Sequence, residues 1–392
     1  MSSFGFKITQ SFLSGARVGV ISTPHGKIET PAFVPVGTQA TVKSLTPDEI
    51  KETGTKIFFV NTYHTYLRPS IAVIEKFGGL HKFMGWDGPI ITDSGGFQVF
   101  SLARSPAMVK IVEDGVKFRS HWDGSEHFFT PESSMEYQFK LGSDIHIAFD
   151  DCTAYPVTHA VAKKSMERTH RWALRSKVEN DKLQTRPPAR QVANDKLGKP
   201  YQALYGVIQG SVFEDLRKES AKYISSLNFD GIAIGGASVG ESKEEMCNVL
   251  KWVLPELPEN KPRHLLGVGE IDDVFTLIEN GIDTFDCVQP TRLARMGRLL
   301  VSSKADRLEI DITKKLYAMD TRPIDETCTC MTCKQFSRAY VHHLFDVKEL
   351  LGYRLATIHN VYFMHALVAT IRASIIDGTF HELKKRWNCA TV

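Results

Sequence analysis

Two aspartates at apolar runs stand out, and one of them, Asp286, is where a carboxylate is costly. Asp286 sits between Phe285 and Cys287 in the apolar run Thr284 to Val288, and Asp93 ends the run Pro89 to Asp93. A charge in such a place is unfavourable unless it is paired or used. Pro290 stops the first run, and Arg292 and Arg295 follow on a loop or first helical turn. An acid at a strand's end with cations just beyond it suits a reacting carboxylate beside a bound polyanion. The plain alternative is a buried Asp286 paired with Arg292. After Asp93 comes Ser94-Gly95-Gly96-Phe97. Paired glycines let a backbone approach a ligand closely and present N–H groups to it, and Phe97 is placed to stack on a flat ring. The plain alternative here is a tight turn with a capping Asp.

A third constellation reads as a metal site. Cys328-Thr-Cys330-Met-Thr-Cys333 gives C-x-C-x-x-C, and His359 follows after 25 intervening residues, with His342 and His343 as competing ligands by distance alone. Three thiolates and one imidazole make a closed tetrahedral Zn2+ site with no open position for catalysis. His359 is expected to open an apolar helix, Val361 to Ile376, which the metal would tether. The other cysteines, at 152, 247, 287 and 389, are scattered. An odd count in a chain without a secretory pattern argues against a disulfide framework.

The elements that must position these groups alternate. Short apolar runs ending in polar residues are Ile57 to Asn61, Pro89 to Asp93, Ile145 to Asp150, Leu204 to Gln209, Gly231 to Gly235, His264 to Val268 and Thr284 to Val288. Helical stretches lie between them: Pro69 to Phe77, Pro131 to Leu141, Phe213 to Ser226, Lys243 to Leu254 and Ile271 to Glu279. Repeated βα units imply a mainly parallel sheet. Their number suits an α/β fold of the closed (β/α)8 TIM-barrel kind, with an open doubly wound sheet as runner-up. In a barrel the carboxyl ends of the strands share one mouth, where catalytic residues gather. Val18 to Thr23 and Lys27 to Thr30 form a hairpin, and Ala32 to Val36 follows as a further strand of an N-terminal β cap. Ser176 to Pro200, with its paired prolines, reads as a solvated excursion. The expected division is a catalytic barrel over 1–301 and a zinc-binding subdomain with C-terminal helices over 302–392.

The 392 residues carry a formal net charge of only +3, which gives no global electrostatic case for nucleic acid but leaves room for a basic face. No apolar run approaches the roughly 20 residues of a bilayer span, and Met1 to Gln10 lacks a signal-peptide pattern. The expected location is cytoplasmic.

Asn61-Thr-Tyr-His64, Thr92-Asp-Ser-Gly-Gly-Phe-Gln98, Ala148-Phe-Asp150, Gln209-Gly-Ser211, Gly267-Val-Gly269 and Phe285-Asp-Cys-Val288 occur in this order along the chain. Taken together, this series resembles the tRNA-guanine transglycosylases, closely the bacterial type, over nearly the whole length. The resemblance implies base exchange. Guanine at the anticodon wobble position of GU(N) tRNAs would be replaced by a 7-deazaguanine, preQ1 or queuine, in queuosine biosynthesis. Asp286 would be the nucleophile that forms a covalent ester with the ribose, and Asp93 the acid/base. A retaining glycosidase divides the labour between two carboxyl groups in the same way.

The resemblance also implies a base pocket. Asp93, Ser94, Gly95, Gly96, Phe97, Asp150, Gln209, Gly236 and Leu266 would hold the base. Neighbours on a strand point to opposite faces, so one of Asp150 and Asp151 can face the mouth, and the family pattern selects Asp150. A carboxylate suits the donor edge of guanine. Ala237-Ser238 departs from the Leu-Ala usual in relatives specific for the small precursor base; the freed volume favours queuine, whereas Val239 does not. RNA contacts would come from Gly267, Val268, Gly269, Glu270, Ile271, Asp272 and Asp273, and from Thr291, Arg292, Leu293, Ala294 and Arg295, with Arg298 and Lys384 to Arg386 as further basic candidates. The family pattern picks His359 as the fourth ligand beside Cys328, Cys330 and Cys333. It also implies a homodimer with the zinc unit at the interface. The alternative of another class is a non-catalytic zinc-containing RNA-binding protein, which would need neither Asp93 nor Asp286. A sugar-cleaving barrel would explain the acids but not the zinc.

Overall fold

The computed structural model describes residues 4–12, 15–101, 108–185, 200–303 and 308–388. The chain enters through an antiparallel sheet of β1 (Gly5–Ser11), β2 (Arg17–Thr23) and β3 (Gly26–Thr30). Eight parallel strands then close a barrel: β4 (Ala32–Gly37), β5 (Phe58–Val60), β6 (Ile90–Thr92), β10 (Ile145–Ile147), β11 (Ala203–Ile208), β12 (Gly231–Ile234), β13 (Arg263–Leu265) and β14 (Thr284–Cys287). Pairing of β14 with β4 completes the ring. Ala32 to Val36 is therefore not part of the cap but the first stave. All six residues of β4 are buried, as a parallel strand covered on both faces requires.

The pleat sorts side chains into two layers. Val34, Phe59, Ile91, Ile147, Tyr205 and Val207 turn into the barrel and share one apolar cluster with Ile21 and Ile28 of the cap sheet. Phe33, Leu204, Ile208, Ile234, Leu265 and Phe285 turn outward and pack with the helices. The cap plugs the amino-terminal end of the barrel. There His25 Nδ1 and His81 Nε2 lie 2.8 and 3.3 Å from the two carboxylate oxygens of buried Asp144, just before β10. These three residues could also be read as metal ligands. The imidazoles, however, are stacked at 3.6 Å with planes only 16° apart, so their in-plane lone pairs cannot converge on one ion. The trio is a clasp between cap and barrel.

Helices return the chain between staves: α1 (Pro47–Glu52), α2 (Thr62–Leu67), α3 (Ile71–Lys76), α4 (Leu80–Met84), α5 (Gly96–Ser101), α6 (Pro131–Leu141), α7 (His159–Thr185), α8 (Glu214–Ser226), α9 (Lys243–Val253), α10 (Ile271–Glu279) and α11 (Gln289–Arg295). Thr46, Thr130 and Ser242 close capping boxes at the starts of α1, α6 and α9. The expected excursion at Ser176 is helix as far as Thr185. Its buried stripe includes Ser165, Thr169, Ser176 and Asn180, and these polar residues hide the apolar period from a reading of the sequence. Residues 186–199, the rest of that expectation, lie outside the described residues.

Between β6 and α6 stands a small antiparallel sheet, β7 (Val109–Val112), β8 (Gly115–Arg119) and β9 (Glu126–Phe129), which the alternation of longer elements does not predict. After the barrel come β15 (Arg298–Leu300) and β16 (Glu309–Asp311), then α12 (Met331–Gln335), α13 (Arg338–Asp346), α14 (Leu350–Ile376) and α15 (Phe380–Asn388). The apolar helix begins at Leu350 rather than at His359, so His359 sits in its interior, on a buried stretch running from Leu355 to Val361. Gly352 lies in the first turn of α14, where a Cβ would come within 3.0 Å of Leu344. No described helix is long and apolar enough to cross a membrane.

Candidate active site

Asp93 follows β6, and its buried carboxylate is held by three donors. Asn61 Nδ2 donates at 2.6 Å to one oxygen; the backbone N–H groups of Thr62 and Gly95 donate to the other at 2.8 and 3.1 Å. The Thr62 hydroxyl also donates to the Asp93 carbonyl at 2.6 Å. Gly95 takes φ +82°, and a Cβ there would come within 2.9 Å of the Phe129 ring, so the turn needs glycine. Burial pushes the Asp93 carboxyl up to about 7 against the pull of its three hydrogen bonds, and the charge of Asp286 adds to the rise. A carboxyl placed there can both give and take a proton near neutrality.

Asp150 is buried beside it. Ser94 Oγ donates to one oxygen at 3.2 Å and Gln209 Nε2 to the other at 2.8 Å. Burial raises this carboxyl to about 6, the two hydrogen bonds oppose the rise, and Asp151 adds to it. The Asp151 carboxylate turns the other way, to Arg168 Nη1 at 2.6 Å, and the Asp151 backbone N–H donates to Thr169 Oγ1 on α7 at 3.0 Å. The alternation expected of adjacent acids is thus what separates them.

Asp286 is carried by β14 opposite Val34, on the side of the strand that faces the barrel interior. Phe285 and Cys287 face the helical layer. Asp286 Oδ1 accepts from the Gly267 N–H at 3.0 Å and lies 3.2 Å from His264 Nε2. His264 Nδ1 is 2.8 Å from Thr284 Oγ1. With its proton on Nε2 the ring donates to Asp286 and accepts from the Thr284 hydroxyl. The pairing of Asp286 with Arg292 does not occur; the acid is held by an uncharged backbone donor and an imidazole. At 8% exposure it still reaches the mouth.

Gln209, Gly236 and Leu266 follow the next three staves, all on the mouth side. Arg217 of α8 holds this region together. Fully buried, it donates to the carbonyls of Ser211 at 2.5 Å, Ile208 at 3.3 Å, and Gly235 and Gly236 at 2.7 Å each. A Cβ on Gly236, at φ +59°, would lie 2.6 Å from Gln209 Oε1. Phe97 is partly exposed on the first turn of α5, and Leu266 is half-buried beyond β13. One mouth therefore gathers Asp93, Ser94, Asp150, Gln209, Gly236 and Asp286. Asn61, Arg217 and His264 escaped notice as site residues in the sequence. His264 had one usable signal, a polar residue at an inward-facing position of its strand.

The pattern of the queuine tRNA-ribosyltransferase family matches residues 12–391. The chain belongs to the queuine tRNA-ribosyltransferase family. It is 50% identical over 374 residues to the queuine tRNA-ribosyltransferase of Thermoanaerobacter pseudethanolicus, covering 95% of this chain and 94% of that relative. It is 46% identical over 395 residues to that of Roseiflexus sp., with 95% and 96% covered. With that of Desulforudis audaxviator it shares 48% over 383 residues, 98% and 97% covered. A queuine tRNA-ribosyltransferase is an enzyme that acts on tRNA and on guanine bases, so the non-catalytic RNA-binding reading is set aside.

The enzyme also carries a cluster that could hold a metal ion. The ligand atoms of Cys328, Cys330, Cys333 and His359 lie within 4.8 Å of one another. His359 Nδ1 is 3.7, 3.5 and 3.3 Å from the three sulfurs in that order. A tetrahedral ion with bonds of about 2.3 Å to sulfur and about 2.0 Å to nitrogen needs such edges to be about 3.5 Å, so the donor set fits. His359 Nε2 lies 2.6 Å from the Leu300 carbonyl, which leaves Nδ1 for the metal. His342 Nδ1 is occupied elsewhere, 2.7 Å from the Ile312 carbonyl. Cys389 lies outside the described residues.

The expected RNA-contacting residues divide by exposure. On α11, Arg292 points outward, Leu293 and Arg295 are half-buried, and Thr291 and Ala294 are buried. Arg295 Nη1 donates to the Thr291 carbonyl at 2.7 Å, and burial with Arg292 close by lowers its affinity for its proton. Two cations held together in this way favour an anion between them. Arg298 is instead paired with Glu309, and Lys384 with Glu279 at 2.5 Å. In the segment from Gly267, Lys243 gathers Glu270, Asp272 and Asp273 at 3.2, 3.6 and 3.1 Å, while Val268 is buried.

Proposed function

We propose that the enzyme exchanges guanine at the wobble position of GU(N) tRNAs for a 7-deazaguanine by two displacements at one ribose carbon. The observation that carries this reading is the pair of inward acids with different surroundings. Asp93 is held near its protonation midpoint, whereas Asp286 is held by two donors, His264 and Gly267. Pairs of acids with separated roles are how one site runs acid and nucleophile chemistry together.

Asp286 attacks the anomeric carbon of the ribose as the bond to guanine breaks. The departing base takes the bonding electrons and a proton from Asp93, leaving a ribosyl ester on Asp286. The incoming base then surrenders its proton to ionised Asp93 and attacks the same carbon, and the Asp286 carboxylate leaves. Two inversions restore the original configuration. In the pocket, Asp150 accepts from the ring N–H and exocyclic amine of the base. Gln209 turns its amide from Asp150 to the base carbonyl, which the Gly236 N–H also meets. Phe97 and Leu266 cover the ring faces, as expected for a base held out of its stack.

Arg292 and Arg295 take backbone phosphates. The acids from Glu270 to Asp273 would repel a phosphate, so that segment meets RNA through donor edges of bases. Zn2+ bound by Cys328, Cys330, Cys333 and His359 supplies structure and no chemistry. The protein works as a homodimer through the zinc unit, where Met319 is 91% and Leu350 77% exposed. The incoming base is preQ1 or queuine, and comparing exchange of the two bases by wild type and Ala237→Leu decides between them.

The test is incubation of a GU(N) tRNA with labelled guanine. Wild type is expected to incorporate the label, and Asp286→Ala, folded and with its zinc retained, to lose at least a thousandfold. Incorporation by Asp286→Ala within tenfold of wild type would refute the reading.

A further inference from the structure

The small sheet β7–β9 has no assigned part in the chemistry, yet its position and surface are specific. Its inner face carries Val116, Phe118 and Phe129, which pack on Tyr63 of α2 and Val99 of α5. Phe129 also limits Gly95, beside Asp93. The sheet thus stands on the rim of the catalytic mouth, at the carboxyl ends of the barrel strands.

Its outer face presents a row across three strands. Lys110 is opposite Lys117, and Lys117 is opposite Phe128. Two cations face to face across a strand pair destabilise a sheet, and neither pairs with a carboxylate among the described residues. Phe128 is 41% exposed, with the Lys117 ammonium 5.6 Å above its ring. At the β8–β9 turn, exposed Arg68 lies over the Trp122 ring at 4.1 Å, beside a cleft of about 350 Å3. Arg68 likewise has no carboxylate partner among the described residues. The nearby Asp123 carboxylate is engaged by the hydroxyl and N–H of Ser125, at 2.7 and 3.2 Å.

Cations lying on exposed aromatic rings, without acid partners, suit single-stranded nucleic acid: the ammonium and guanidinium groups meet phosphates and the rings meet bases. A protein partner of the opposite charge would be met by cations alone and would leave the rings unexplained. We propose that the outer face of β7–β9, with the Arg68–Trp122 pair at its tip, is a second RNA-contacting surface. It holds the loop strand of the tRNA substrate away from the exchanged nucleotide, with phosphates on Lys110, Lys117 and Arg68 and an unstacked base on Phe128. The inference rests on the reading that tRNA enters at this mouth. It adds a contact on a different side of the mouth from α11: β6 and β14, which lead into the two surfaces, are separated in the barrel by β4 and β5.

The experiment is a titration of the whole enzyme with a tRNA transcript at several salt concentrations, followed by anisotropy, with guanine exchange measured in parallel. The variants are the double Lys110→Ala/Lys117→Ala, and Phe128→Ala and Arg68→Ala singly. Each neutralised phosphate contributes about −0.7 to −0.9 to the slope of log affinity against log salt. The lysine double is expected to flatten that slope by about 1.5 and to raise KM for tRNA about tenfold, leaving kcat and KM for guanine unchanged. Phe128→Ala is expected to weaken binding about tenfold, the scale of one base stack, without altering the slope. Affinity and slope equal to wild type in the lysine double overturn the proposal. Tight tRNA binding with the predicted slopes but no guanine exchange by wild type would instead sink the proposed reaction and leave this surface standing.

Discussion

At Asp93 the opposing effects can be separated by mutation. Burial favours the protonated form, and the hydrogen bond from Asn61 favours the ionised form. The proposed first displacement needs the protonated carboxyl, so kcat/KM for tRNA should decline as pH rises through about 7. Asn61→Ala removes a donor to the carboxylate and should move that decline upward by about one pH unit; a decline moved downward would show that the hydrogen bond does not act as described. The stability sign is fixed by the same rise. Asp93 contributes fully below the ordinary carboxylate range and loses that contribution as pH rises through about 7, so the site is kept at some cost to the fold. At this scale the two acids proposed to react were legible. Asp286 stood out because charge inside an apolar run is rare, and Asp93 because it ends a strand just before paired glycines. Asn61 and His264 did not, since their partners lie far away in sequence, and only closure of the barrel reveals which donor meets which acid.

Elements transmit this precision. Arg217 ties the loops after β11 and β12 by donating to carbonyls on both, and nothing in α8's sequence marks it apart from ordinary surface arginines. Arg217→Leu leaves those buried carbonyls without donors, a loss on the order of 3 kcal/mol. It should also raise KM for guanine severalfold, because Gln209 and Gly236 lose their frame. Unchanged thermal unfolding and KM would contradict this role. The main barrel staves were legible from alternation, but β4 was assigned to the cap because a stave preceding the first long helix has no βα partner before it. α7 was cut short in the reading because its buried stripe is polar. The sheet β7–β9 was missed because its strands are only four or five residues long and its outward residues mix charge with aromatics.

For the whole molecule, the zinc unit and the barrel are joined through two neighbouring residues of α14. His359 would bind metal through Nδ1 while Nε2 meets the Leu300 carbonyl of β15. Asn360 donates to the carbonyls of Pro290 and Arg298, each at 3.0 Å, and accepts from Leu300 N–H at 2.9 Å. A metal held by Cys328, Cys330, Cys333 and His359 would therefore brace α11, which begins three residues beyond Asp286. Metal analysis should give one zinc per chain. Removing it with a strong chelator should lower the melting temperature by several degrees and raise KM for tRNA more than KM for guanine; equal melting curves with and without zinc would contradict a bracing role. The central claim is that one buried carboxylate takes the ribose while its neighbour handles the base. The most direct measurement is denaturing isolation of the enzyme–tRNA adduct formed without incoming base, nuclease trimming, and mass spectrometry of the labelled peptide. The account predicts a ribosyl ester on Asp286 in wild type and none in Asp286→Ala. An adduct on Asp93 or Asp150, or full exchange with no adduct at any aspartate, would contradict it.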